Sequence, residues 1–406
     1  MSGEKKYNAV VGQSGGPTAV INQSLVGIIE AVKQHDDKIN RLLGARFGTR
    51  GIIEENFIDL TDLEFPFLER IAQTPCAALG STRDKPDEQY CKRIFKVFEK
   101  NDVHYFFYIG GNDSADTARI VAEMAQQEGY DLRVFHIPKT IDNDLRVTDH
   151  CPGYGSAARF VAAAVMGDGL DNASLPGIKI DVIMGRNAGW LAASTILAKK
   201  DESDAPHLIY VPESPLTEEQ FINDVSETYD KYGRCLVCVS EGVVDENGQL
   251  WSKKISAQIE RDAHGNIQLA GSGALGDYLA QLVRTEIAEK RGEKLRVRAD
   301  TFGYLQRSFP GYASPVDQAE ARLAGKTGVE YACSGDYQTG SVAFRRTGNG
   351  DNYAIECFRA ELQDVARETK PLPAEYINER GNGIVEKFRE YVSPLVGELP
   401  AIAKLP

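Results

Sequence analysis

Short apolar runs alternate along this chain with stretches whose apolar positions recur every three or four residues. "NAVVGQSGGPTAVINQSLVGIIEAV" opens as a strand, loops from Gly12 to Thr18 and continues as an amphipathic helix. "VHYFFYIGGNDSADTARIVAEMA" repeats the plan, and "RVFHIPKTIDND", "GIKIDVIMGRNAGWLAASTILA", "APHLIYVPES" and "RCLVCVSEG" continue it. Fully apolar strands alternating with helices predict a parallel sheet covered on both faces, hence an α/β fold. Each strand ends in Gly, Pro, Ser or charged residues, so the polar clusters fall at the carboxyl edge, where such sheets bind ligands.

Proline and glycine break the pattern at Cys151–Ser156, which reads as a domain boundary, and the tail from Lys370 carries prolines and reads as surface packing. "GSGALG" at Gly271–Gly276 matches a dinucleotide fingerprint but follows a weak strand, so it reads as the start of a helix. "AGKTG" at Ala324–Gly328 resembles the end of a P-loop, but Glu320 stands where the first glycine belongs and no strand leads in.

With 406 residues the chain is long enough for two or three domains. No apolar run is long enough to span a membrane, and the charged start "MSGEKKYNAVV" argues against a signal peptide. The seven scattered cysteines do not suggest a disulfide framework; Cys235 and Cys238 read as buried strand thiols, which together imply a reducing cytoplasm. A net charge of −13 disfavours nucleic acid as a partner. An acidic protein that binds anionic metabolites must instead concentrate Arg, Lys and helix N-termini locally.

Three loops have that character. "GQSGGPT" places Gly15 and Gly16 between a strand and a helix, as a phosphate cradle or as an ordinary turn. "YIGGNDSADTA" adds a second glycine turn, with Asp113, Ser114 and Asp116 also suited to capping the helix. Two such turns at neighbouring strand ends make a site for a polyanion. In "HIPKTIDNDL", Lys139, Thr140, Asp142 and Asp144 crowd one loop. If that loop is extended, Asp142 and Asp144 face the same way. Two carboxylates beside a lysine suit phosphoryl transfer: one takes a proton, one helps hold Mg²⁺, and the lysine neutralises phosphate oxygens. The same run also reads as a solvated Asn/Asp-rich turn. Further strand ends bring Arg186, Glu241, Arg298, Tyr304 and Arg307, which jointly offer arginines for a second phosphate and a carboxylate for sugar hydroxyls.

In the ordered motifs "QSGGPT", "GGNDS", "PKTIDNDL", "MGRNAGW" and "GYLQR" the sequence resembles the phosphofructokinase family over about three quarters of its length. The resemblance implies two Rossmann-like domains with parallel-rich sheets sandwiched by helices and an active site in the cleft between them. The donor and metal domain would span 1–153 with about 306–370, and the sugar-phosphate domain 154–305 with the C-terminal tail. It implies transfer of phosphate to the 1-hydroxyl of fructose 6-phosphate, with Asp142 as base and Asp144 as second carboxylate. Gly15, Gly16, Arg83, Gly111, Asp113 and Ser114 would hold the donor, and Asn112, Asp113 and Asp144 the Mg²⁺. Thr140, Met184, Gly185, Arg186, Glu241, Arg298, Tyr304 and Arg307 would hold the acceptor, Arg298 from a neighbouring subunit of a homodimer or homotetramer.

ATP-using members that resemble this chain carry glycine where Asp113 stands and a small residue where Lys139 stands. A carboxylate there adds bulk and negative charge where the α-phosphate of ATP would lie. Lys139 can hold a short polyphosphate, and Thr49 offers no aromatic partner for adenine. The pair resembles the pyrophosphate-dependent branch, so pyrophosphate is the expected donor. The alternatives are an ATP-dependent enzyme of the same fold and a non-catalytic sugar-phosphate sensor, the latter disfavoured by the intact Lys139, Asp142 and Asp144. Gly177 stands where many members carry an arginine for the acceptor phosphate. Lys179 is the candidate substitute, and the departure leaves room for a wider acceptor range such as sedoheptulose 7-phosphate.

Overall fold

The computed structural model describes residues 5–84, 86–258, 273–292, 294–366 and 368–404. Its strands are β1 Tyr7–Gln13, β2 Ile39–Ala45, β3 Phe57–Asp59, β4 Val103–Gly110, β5 Arg133–Pro138, β6 Ile178–Ile183, β7 Leu208–Tyr210, β8 Cys235–Ser240, β9 Val297–Thr301, β10 Thr339–Gly348 and β11 Ala354–Ala360. Two compact units emerge. The first comprises Met1–Ile141, Leu145–Ser156 and Arg307–Lys370, the second Asp142–Asp144, Ala157–Gln306 and Pro371–Pro406.

The first unit holds a seven-stranded sheet in the order β11-β10-β5-β4-β1-β2-β3. Its interior pairs are parallel, and β3 and β11 run antiparallel at the two edges. Central β4 is buried at all eight residues because helices cover both faces. Its side chains alternate: Phe107 and Ile109 pack on one side with Leu25, Ile28 and Val329, Phe106 and Tyr108 on the other with Ile94, Phe98 and Val121. Fully burying each such side chain stabilises the fold by roughly 1.5–3 kcal/mol. "AGKTG" lies within the helix Pro315–Ser334, not in a phosphate loop. There a Cβ on Gly325 would collide with the Ser24 carbonyl, so the glycine serves close packing on the helix Ile21–Gln34.

The second unit holds an all-parallel sheet in the order β7-β8-β6-β9. Cys235 and Cys238 are buried on β8, and burial raises both thiol pKa values. Gly273 starts the helix Ala274–Val283 from a left-handed φ of 73°, while Gly271 and Ser272 of the "GSGALG" run lie outside the described residues. The proline-bearing tail does more than cover the surface. It forms the helix Glu386–Val396, with Phe388 and Val392 buried, and Phe388 packs against Trp190. Among the described residues no helix is long and apolar enough to cross a membrane.

Candidate active site

In the first unit, three loops at the carboxyl ends of β1, β4 and β5 are stitched together by backbone and side-chain hydrogen bonds. After β1, Ser14 N–H donates to the Ile109 carbonyl and Gly15 N–H to the Thr82 carbonyl, both at 2.9 Å. Ser81 Oγ donates back to the Gly15 carbonyl at 2.6 Å, and Arg83, two residues on, is exposed. Lys139, only 3% exposed, extends from the end of β5 and donates from Nζ to the Gly16 carbonyl at 2.7 Å. A Cβ on Gly15 would stand 3.3 Å from Lys139 Nζ, and one on Gly16 would collide with the Arg307 guanidinium. Gly15, Gly16, Lys139 and Arg307 are therefore neighbours, and the bare glycines admit both cations.

After β4, Gly111 caps the helix Asn112–Gln127, and the Asp113 side chain is exposed in its first turn. This is where a helix attracts an anion. Ser114 is buried, and Gly110 must be bare because a Cβ there would collide with the serine hydroxymethyl group. Gly110 is also held from the next strand: its carbonyl accepts from Lys139 N–H at 2.9 Å and from His136 Nε2 at 2.8 Å. A carbonyl only accepts, so Nε2 carries the proton and Nδ1 faces the Ser341 hydroxyl at 2.8 Å. Burial pushes the His136 pKa down to about 4, which keeps the ring neutral. His136 stands inside the quoted "HIPKTIDNDL" run without a predicted role; its place under the glycine turn follows from strand pairing, which the run alone does not disclose.

Thr140 is half-buried and its N–H donates to the Pro152 carbonyl at 3.1 Å. Beyond it Asp142 is half-buried and Asp144 buried. The extended segment expected here does not form. Asn143 takes a left-handed φ of 55°, so strand alternation no longer puts both carboxylates on one side. Instead Asn143 is buried and its Nδ2 donates to the Tyr391 hydroxyl at 3.0 Å, anchoring the loop between the two aspartates. Thr49 is wholly buried at the start of the helix Thr49–Ile53, so it offers no surface to a base.

In the second unit, β6 ends in Met184, Gly185 and Arg186, and β8 in Glu241. Gly185 has a φ of 133°, and its carbonyl accepts from Ser240 Oγ at 2.6 Å. Glu241 N–H donates to the Ile183 carbonyl at 2.8 Å. Met184 N–H donates at 3.1 Å to the side chain of buried Gln306, whose Nε2 donates to the Gly303 carbonyl at 2.9 Å. The turn Gly303–Arg307 is thus tied to the Met184–Arg186 loop. Gln306 and Ser240 are further residues without a predicted role; each sits inside a quoted motif, next to a residue chosen for its charge. Tyr304 and Arg298 are exposed. Gly177 lies at the amino end of β6, just ahead of Ile178, where a Cβ would collide with the Arg296 carbonyl. Lys179 is no free substitute for an arginine there: its Nζ pairs with Asp168 at 2.8 Å and Asp300 at 2.9 Å.

The family model described as phosphofructokinase matches residues 8–332, more than half of the chain. The chain belongs to the phosphofructokinase family. It is 51% identical over 393 residues to a "Pyrophosphate--fructose 6-phosphate 1-phosphotransferase" of Rhodospirillum rubrum, covering 97% of this chain and 95% of the relative. A protein of the same name from Halomonas elongata is 36% identical over 98% of this chain and 96% of its own length. The crystal structure of a pyrophosphate-dependent phosphofructokinase from Marinobacter aquaeolei superposes with a TM-score of 0.84 at 33% identity, covering 98% of this chain and 94% of that one. The expected α/β architecture with parallel-rich sheets agrees with this phosphofructokinase fold. Family enzymes use a divalent metal. The donors expected here, the Asp113 and Asp144 carboxylates and the Asn112 amide, are all oxygen-bearing, which fits a hard cation.

Proposed function

We propose that this chain is a cytoplasmic enzyme that reversibly transfers phosphate from pyrophosphate to the 1-hydroxyl of fructose 6-phosphate, giving fructose 1,6-bisphosphate and phosphate. One observation carries the donor assignment: a carboxylate, Asp113, occupies the first turn of a helix whose N-terminus would otherwise receive a nucleotide phosphate, while the Lys139 ammonium lies at the glycine loop. The Asp113 carboxylate adds bulk and negative charge where the α-phosphate of ATP would lie. A third phosphate is excluded, and two linked phosphoryl groups are held. The names of the relatives support the same donor.

In the forward direction Asp142 accepts the proton of the 1-hydroxyl as that oxygen attacks the near phosphorus of pyrophosphate. The new O–P bond forms as the bridging P–O bond breaks, and inorganic phosphate leaves. Lys139, Arg83 and the amides of the two glycine turns stabilise the charge that spreads over the transferred group. Asn112, Asp113 and Asp144 would hold Mg²⁺, which when bound neutralises oxygens of the donor. Thr140, Met184, Gly185, Arg186, Glu241, Tyr304 and Arg307 orient the acceptor. The exposed Arg298 serves a neighbouring subunit of a homodimer or homotetramer.

The test is a product assay with pyrophosphate, fructose 6-phosphate and Mg²⁺, followed by phosphorus NMR. The expected result is equimolar fructose 1,6-bisphosphate and phosphate, with at least ~10³-fold less in Asp142→Asn, which cannot take the proton. Full activity in Asp142→Asn would remove this residue from its role.

A further inference from the structure

One cluster in the second unit plays no part in this chemistry. Asp181 lies on β6 directly opposite Asp300 on β9, and Asp168 joins them from the helix Tyr154–Ser174. One carboxylate oxygen from each lies within 4.8 Å of the others. Like charges facing each other across neighbouring strands destabilise a sheet, so the arrangement needs a cation. Lys179 supplies part of it, bridging Asp168 and Asp300. Against the lowering effect of burial, those two carboxylates hold its proton more firmly than usual.

Asp181 is left over. Its side chain is wholly buried, and neither oxygen has a hydrogen-bond donor. Burial and the neighbouring Asp168 raise its pKa. A buried carboxylate in that state is costly unless paired or bound to a metal. With all three carboxylates ionised, they and the Lys179 ammonium sum to two negative charges, the state a bound cation would favour. A pocket of about 450 Å³, bounded by Asp168, Asp300, Phe160, Phe302 and Leu305, opens the cluster to water.

We infer that Asp168, Asp181 and Asp300 form a site for a hard divalent cation, separate from the one proposed at Asn112, Asp113 and Asp144. The charge count calls for a divalent ion, and the oxygen-only donors select the calcium, magnesium and manganese class over softer metals. The pocket supplies water for the remaining coordination positions. Asp300 is followed at once by Thr301 and by Phe302, whose N–H donates to the Val182 carbonyl at 3.1 Å. An ion here therefore clamps β6, β9 and the helix at the base of the Gly303–Arg307 turn.

The test is a Mn²⁺ titration of the full chain by electron paramagnetic resonance, without phosphate ligands, on wild type, Asp300→Asn, Asp181→Asn and Asp144→Asn. Wild type and Asp144→Asn are expected to share one Mn²⁺ site that is at least ten-fold weaker in Asp300→Asn and Asp181→Asn. Ca²⁺ should raise the melting temperature of wild type but not that of Asp300→Asn. Asp300 is exposed, so its variant keeps the test valid if Asp181→Asn fails to fold. Unchanged Mn²⁺ stoichiometry and affinity in Asp300→Asn would overturn the inference and leave Lys179 with a shared proton as the cluster's only counter-charge.

Discussion

Lys139 Nζ donates to the carbonyl of Gly16 at 2.7 Å, joining the end of β5 to the loop that follows β1. The lysine is buried, so the charge is held in place at the glycine loop before any ligand arrives. Pre-positioned charge is what phosphoryl transfer needs, since it costs no reorganisation during the reaction. Lys139→Ala is expected to lower kcat by about 10²- to 10³-fold with pyrophosphate. Steady-state kinetics check this, and a change confined to KM would recast Lys139 as a binding residue only.

Gly16 and Arg307 are in close register, because a Cβ on the glycine would meet the guanidinium. The obstacle is the far end of a flexible side chain, so Gly16→Ala should fold normally. The displaced Arg307 should bind acceptor less well. A several-fold rise in the KM for fructose 6-phosphate, with the melting temperature nearly unchanged, is the expected outcome.

Gln306 bridges Met184 N–H and the Gly303 carbonyl from a buried position. Gln306→Leu removes both bonds and leaves two backbone groups without their partner, at about 1–3 kcal/mol for each unsatisfied group. It should lower stability and raise the acceptor KM together, measured by denaturant unfolding and kinetics. The KM for pyrophosphate should stay unchanged, because the two bonds of this residue lie at the Met184 and Gly303 loops.

His136 makes stability depend on pH. Its folded pKa of about 4 lies below the ordinary value of 6.5, so the unfolded chain binds the proton more readily. Its contribution is present above pH 6.5 and is lost as pH falls toward 4, amounting to about 3 kcal/mol at full extent. His136→Asn should flatten the unfolding free energy between those pH values. A variant with the same acid limb as wild type would show that other groups, such as His207, dominate it.

Much of this was legible in the sequence because apolar runs and glycine turns are local signals. The covered strand β4 and the two glycine turns are of this kind. The bend at Asn143 was open to either reading, an extended segment or an Asn/Asp-rich turn, and its side chain's bond to the Tyr391 hydroxyl joins residues distant in sequence. Gln306 and His136 escaped for a related reason: they act on backbone groups, and which backbone they meet is decided by strand pairing. The pairing of Lys179 was not legible, since its partners, Asp168 and Asp300, come from a helix and a neighbouring strand.

The claim that Asp113 and Lys139 select pyrophosphate is tested most directly by measuring kcat/KM for pyrophosphate and for ATP. Both are measured with saturating fructose 6-phosphate and Mg²⁺, in wild type and in the Asp113→Gly, Lys139→Gly double variant. Wild type should prefer pyrophosphate by at least ~10³-fold, with the ratio shrinking in the double variant as ATP gains entry. Comparable values for the two donors in wild type would contradict the account.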